Sequence, residues 1–201
     1  MKKKKNKIKT QKMKSLIAIL MLLSLVTIES KISKSKLIKD LETLAGQKTR
    51  YLNKYPNNLL YWDGEKFWCD CSNLFKALFN GRDINNKQKG SFQSKLVDPR
   101  DVTEHDLFFG CSQISTDFRK LKAGEFRLLY MSGHVGSYIG KEKKVGNRIV
   151  NVIECTPNEH LGNGVVYSYV DASGNRLKCK GCNPVSRKWT HHGRPDRWVS
   201  Q

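Results

Sequence analysis

Apolar residues along this chain recur at helical spacing in two segments before Gly81 and fall in short β-rich runs beyond Gly124. Leu37, Ile38, Leu41 and Leu44, with charged residues between them, predict an amphipathic helix within 31–50 that Gly46 stops. Residues 51–68 hold Pro56, Asn57, Asn58 and Gly64 among several aromatics and read as an irregular approach to the next helix. Leu74, Phe75, Leu78 and Phe79 then mark a buried helix that begins at Cys71 and ends at Gly81. Residues 82–125 are polar and weakly periodic, with apolar patches at 107–109 and Leu121, and predict mostly loop and short helix. After Gly124 four short runs bounded by Gly, Asn or Pro (126–131, 134–139, 148–155 and 164–170) predict antiparallel strands, and 189–198 predicts a closing edge strand. No internal repeat is visible. Helices first and a strand meander afterwards predict an α+β domain of N-terminal helices packed on a small antiparallel β-sheet.

Charge and the start of the chain change this picture in one respect. The first fourteen residues carry eight lysines and no acid, and an apolar run, 15–28, follows directly. That is the layout of a signal peptide, and the run falls short of the roughly 20 apolar residues a membrane-spanning helix requires. The expectation is a secreted protein with a leader over 1–30, cleaved near Ser30, and one domain over 31–201, with no stable membrane span. An uncleaved amphipathic anchor is the competing reading, because Ile28 and Glu29 are poor cleavage-site residues, and Met13 is an alternative start. Eight lysines and one glutamate leave with the leader, so the formal charge of +19 falls by seven to +12. Anionic cell-wall polymers fit such a surface. Nucleic acid is disfavoured, since the basic residues are scattered and no reader motif is present.

Six cysteines (Cys69, Cys71, Cys111, Cys155, Cys179 and Cys182) in an exported chain predict disulfides. If one is a free nucleophile, two disulfides and a spare thiol are the simplest allocation, with Cys179 and Cys182 close enough to pair locally. The competing use of those two is a zinc site completed by His191 and His192. Cys71 opens a buried helix, where orphan N–H groups and the helix dipole favour a thiolate and supply donors for an oxyanion. Cys69 precedes the helix and lacks that environment. Of the five histidines, His105 and His160 fall in polar loop sequence and His191 and His192 near the end. His134 opens an alternating strand between Gly133 and Gly136, whose small size leaves room for a substrate chain. Glu154, in the otherwise apolar 150–155 segment, must be partnered if buried and is the candidate to orient His134; Asn151 on the same strand and His160 just beyond it are the alternatives.

Two short motifs carry a resemblance. Asp70-Cys71-Ser72-Asn73-Leu74 is similar to the Asp-Cys-Ser-Gly-Leu motif of NlpC-type cell-wall cysteine peptidases, and 133–140 (Gly-His-Val-Gly-Ser-Tyr-Ile-Gly) is similar to their Gly-His-Val-Gly-Ile-Tyr-Ile-Gly motif. The segments 152–156 and 164–166 resemble the strand that supplies the family's third residue, and 189–195 its closing Trp and Gly-Arg-x-Pro segment. The resemblance runs in family order from about residue 45 to 198. It implies a papain-like fold and a Cys71–His134–Glu154 triad, without metal or cofactor. It further implies hydrolysis of the bond between D-glutamate and the diamino acid of peptidoglycan stem peptides. Glu154 stands where the best-described members carry His, and Asn73 where they carry Gly. Asp70 and Ser72 match positions that hold the substrate amine and shape the groove, and either Tyr51 or Tyr61 matches a groove tyrosine; N-capping explains Asp70 equally well. The rival readings are an N-acetylmuramoyl-L-alanine amidase using the same triad, and a non-catalytic basic protein binding wall or nucleic acid.

Overall fold

Strands, rather than helices, make up most of the described secondary structure, and the central strands β8 and β9 bury residues on both faces. The computed structural model describes residues 31–52, 59–87, 90–92, 104–185 and 187–201, and Lys31–Gln201 form one compact unit. The expected leader, 1–30, lies outside the described residues. In chain order the elements are β1 (Ile32–Ser33), α1 (Lys34–Ala45), β2 (Thr49–Tyr51), β3 (Leu59–Trp62), β4 (Phe67–Cys69), α2 (Cys71–Phe79), β5 (Gly90–Phe92), α3 (Glu104–Phe109) and β6 (Ser112–Ser115). A 3-10 turn (Phe118–Lys120), β7 (Arg127–Met131), β8 (His134–Val145), β9 (Arg148–Thr156), β10 (Gly164–Val170), β11 (Arg176–Leu177), β12 (His191–Arg194) and β13 (Val199–Ser200) complete the chain.

The expected arrangement of N-terminal helices on a small sheet is overturned. A seven-stranded antiparallel sheet in the order β11-β10-β9-β8-β7-β12-β6 dominates, accompanied by a four-stranded sheet, β2-β4-β3-β5, and the parallel pair β1-β13. The helices are minor. Three features of the sequence account for the difference. The 51–68 segment forms three strands of three or four residues, too short to show a period. Ser112–Ser115 is polar, yet pairs with β12 at the sheet edge. The closing segment supplies His191–Arg194, which lies between β7 and β6 instead of at an edge.

Two helices form where the apolar spacing places them. Ser33 caps α1 by accepting from Lys36 N, and Asp70 caps α2 by accepting from Asn73 N, satisfying N–H groups that have no intrahelical partner. Leu37, Leu41 and Leu44 of α1 and Leu74, Phe75 and Leu78 of α2 enter one core with Leu128, Val135, Ile139, Ile153 and Val165 from one face of the large sheet. The opposite face buries Leu129, Met131, Tyr138, Val152 and Val170 around Trp189 and Phe118. Helix α2 thus packs directly against β8 and β9. The β8–β9 register shifts between Tyr138 and Lys143, and Gly140 sits in this stretch at φ +75°, with Glu125 O only 2.6 Å from where a Cβ would stand. Only glycine fits that bend. Among the described residues no helix is long and apolar enough to cross a membrane.

Candidate active site

Register brings the central pair together. Gly136 of β8 is opposite Glu154 of β9, so His134, two residues before Gly136, projects from the same face as the carboxylate. His134 Nε2 lies 2.7 Å from Glu154 Oε2. Glu154 is fully buried, and a buried carboxylate is tolerated only when its lone pairs are filled. Ser168 Oγ of β10 donates to Oε1 at 2.5 Å, and Arg176 Nε of β11 donates to the same oxygen at 3.1 Å. Arg176 Nη2 donates to Oε2 and, at 2.9 Å, to Thr156 Oγ1.

Burial acts on this carboxyl most strongly and opposes its ionisation. It is outweighed by the His134 hydrogen bond, the Arg176 charge, the His134 charge and the Arg176 hydrogen bond, which together hold the group down at about 2. Glu154 is therefore a carboxylate at any physiological pH. Glu154 takes Nε2, so Nδ1 is the other ring nitrogen of His134.

Trp189 covers the pair, its ring stacked on His134 at 5.5 Å between centroids and lying under the Arg176 guanidinium at 5.7 Å. A Cβ at Gly136 would stand 2.7 Å from Trp189 Cη2. The indole thus fills the space beside His134 that the small Gly136 would otherwise leave to a substrate chain.

Cys71 is the first residue of α2, buried within the core cluster that also holds Val135, Ile153 and Cys155 on the α2 face of the sheet, whereas His134 and Glu154 alternate with those residues and project from the opposite face, which Trp189 covers. Tyr51, at the end of β2, is hydrogen-bonded to the Cys71 side chain. Burial, then the nearby Cys71, Asp70 and Cys155, push its phenol well above the usual range, so it stays a neutral donor. Tyr61 lies on β3 opposite Trp68. Asp70 uses both carboxylate oxygens within α2: Oδ1 accepts from Asn73 N at 2.7 Å and from Ser72 Oγ at 3.1 Å, and Oδ2 from Asn73 Nδ2 at 2.8 Å. Asn73 is thus a second partner of the capping carboxylate.

The alternatives lie elsewhere. Asn151 ties β9 to β10 through Val170, accepting from its N at 2.8 Å and donating to its O at 3.0 Å. His160 is exposed beside Glu159. The side chain of His105 lies outside the described residues. Cys179 and Cys182 are at disulfide distance, with a Cα–Cα separation of 5.2 Å. His192 is buried, with Nδ1 facing Arg127 Nη1 at 3.1 Å and Nε2 facing Asp117 O at 3.0 Å; an arginine only donates, so Nδ1 accepts and Nε2 carries the proton. Both nitrogens are occupied and no zinc ligand set arises there. Among the described residues no group of three or more His, Cys, Asp or Glu side chains could hold a metal ion.

Sequence reasoning missed Ser168, Arg176 and the covering role of Trp189. Arg176 is 3% exposed, and an arginine at the foot of an apolar strand pair is a signal in hindsight, but its partner lies 22 residues away. Fold and site together define a β-rich protein with a buried, fully hydrogen-bonded histidine–glutamate pair on strands against which a cysteine-initiated helix packs. No protein-family model, curated protein or solved structure matches the chain.

Proposed function

We propose that this protein is a secreted thiol hydrolase of peptidoglycan stem peptides, with Cys71 as nucleophile, His134 as base and acid, and Glu154 as the group that orients His134. One observation carries the reading: Glu154 is buried, ionised and bonded to His134, an arrangement whose desolvation is compensated by stabilising an imidazolium. Cys71, at the start of α2, has the helix dipole and orphan N–H groups in its favour, and the neutral Tyr51 phenol donates to the sulfur. The substrate class comes from the resemblance of residues 70–74 and 133–140 to NlpC-type peptidases. The basic balance of 31–201 suits a polyanionic wall.

The chemistry is set by these roles. Cys71 sulfur attacks the D-glutamate-side carbonyl, and N–H groups at the start of α2 hold the oxyanion. His134, having taken the proton of the Cys71 thiol, gives it to the departing amine of the diamino acid, leaving a thioester on Cys71. Water, deprotonated by His134, then attacks that thioester and regenerates the thiol. Asp70 and Ser72 shape the entrance to the groove.

The test is labelling with iodoacetamide followed by peptide mapping, with and without muropeptide. Cys71 should be modified fastest of the cysteines and protected by muropeptide. Cys71 labelling no faster than Cys111, or no protection, overturns the reading.

A further inference from the structure

A second pair of sulfurs lies beside the site and takes no part in the proposed hydrolysis. Cys69 ends β4 in the four-stranded sheet and Cys155 lies near the end of β9 in the seven-stranded one, 86 residues further along, yet their sulfurs are 3.0 Å apart. That is inside the contact distance of two unbonded sulfur atoms. The Cys155 thiol also reaches Cys69 O at 3.2 Å. Both side chains are closed to solvent, at 1% and 0% exposure. The backbone on either side is pinned: Leu52 N donates to Cys69 O, and Val165 is paired with Cys155 while its N donates to Thr49 Oγ1 at 2.8 Å. Among the described residues, neither a metal-ligand group nor a polar partner beyond the pair and the Cys69 carbonyl explains two thiols placed together in an apolar core.

We infer that Cys69 and Cys155 are an oxidation site at which the two sheets become covalently joined. A disulfide needs its sulfurs to close to about 2.05 Å, a movement of about an ångström shared between two side chains. The reaction is thiol–disulfide exchange with an external disulfide oxidant. One cysteine thiolate attacks a sulfur of the oxidant and expels one of its thiolates; the second cysteine attacks the resulting mixed disulfide and expels the other. Two electrons and two protons leave the pair, and the oxidant departs as two thiols. Since neither sulfur is accessible once the sheets have met, exchange takes place during folding, and the finished bridge is shielded from reductant. Burial first, then the Cys69 hydrogen bond, pushes the Cys155 thiol well above its ordinary range, so an unbridged pair in the folded protein is unreactive.

The location gives the bridge a consequence. Cys69 is two residues before Cys71 and Cys155 is next to Glu154, so the bond fixes the approach of α2 to β9 directly at the proposed site. With Cys179 and Cys182 paired locally, Cys71 and Cys111 remain as thiols. The inference does not depend on the hydrolase reading.

The experiment refolds the full chain in a glutathione and glutathione-disulfide buffer, alkylates free thiols with iodoacetamide in denaturant, and cleaves on the N-terminal side of aspartates. That cut falls at Asp70 and separates Cys69 from Cys71. Mass spectrometry should find the Cys69 peptide linked to the Cys155 peptide, with Cys71 and Cys111 alkylated. In a parallel sample, dithiothreitol under native conditions should open Cys179–Cys182 at least tenfold faster than Cys69–Cys155. Alkylation of both Cys69 and Cys155, linkage of Cys69 to any other cysteine, or equal rates of reduction overturns the inference.

Discussion

Replacing Glu154 by Gln alters one atom and tests both what the carboxylate holds and what it does. The carboxylate accepts from His134 Nε2, Ser168 Oγ, Arg176 Nε and Arg176 Nη2, with one Arg176 contact on each oxygen. Gln offers one oxygen and one NH2 group, so either orientation points an N–H at an N–H of Arg176. Ser168 and His134 can reverse their roles, but a guanidinium cannot accept. Arg176 then loses one of its two hydrogen bonds to residue 154, keeps the one to Thr156 Oγ1, and is left buried without the Glu154 counter-charge. Losing one partner of a buried pair costs about 3–5 kcal/mol; Gln retains part of the bonding, so about 2–4 kcal/mol of unfolding free energy should disappear. Turnover on muropeptide should fall by about one to four orders of magnitude, as for the orienting carboxylate of other triads. The two losses are separable. Adding Arg176→Met to Glu154→Gln removes the clashing donor, and urea titration of the cycle should give a coupling of about 1–3 kcal/mol in favour of the double variant. Turnover should stay low. A Glu154→Gln protein with parental stability and turnover refutes the account of the cluster, and recovery of turnover in the double variant would reduce Glu154 to a structural role.

Acid, packing and thiol reactivity give three further tests. The Glu154 carboxyl, at about 2 when folded against an ordinary value of 4.5, contributes stability that is fully present above pH 4.5 and lost as pH falls toward 2. Acid titration of stability should show about 3 kcal/mol of loss in that window, absent in Glu154→Gln; identical acid profiles would contradict it. Gly136→Ala places a methyl 2.7 Å from Trp189 Cη2 and should displace the indole from His134, costing about 1–3 kcal/mol and changing the near-ultraviolet circular dichroism, whereas an unchanged spectrum would count against the stacking. Tyr51→Phe removes the donor on Cys71, worth about 1 kcal/mol, and should change the rate of Cys71 alkylation about fivefold; an unchanged rate would remove Tyr51 from the site.

The candidate residues were legible wherever a local rule applied. The α2 spacing and the capping Asp70 located Cys71 at a helix start, and a lone acid in an apolar strand pointed to Glu154. Two strands joined by a short connection are antiparallel neighbours, so His134 and Glu154 could be matched from order alone. What was hidden depends on distant pairing. Ser112–Ser115 and His191–Arg194 carry no apolar alternation, and each becomes a strand only because the other and β7 supply the ladder. Arg176 lies on a two-residue strand, and its guanidinium reaches Glu154 across β10, a juxtaposition with no sequence period. The 51–68 aromatics suggest irregular chain, yet Tyr51 pairs with Cys69 and reaches Cys71 through a parallel ladder that no short-range pattern encodes.

The most direct test of the central claim is product analysis by liquid chromatography and mass spectrometry, after purified protein acts on a muropeptide bearing the D-glutamate to diamino-acid bond. The parent protein should release the disaccharide L-alanyl-D-glutamate fragment and a new amine on the diamino acid. Cys71→Ser, correctly folded by circular dichroism, should release neither, because a hydroxyl is a far weaker nucleophile than a thiolate. Intact muropeptide after incubation with the parent protein, cleavage at the bond to L-alanine instead, or equal product from Cys71→Ser would contradict the account.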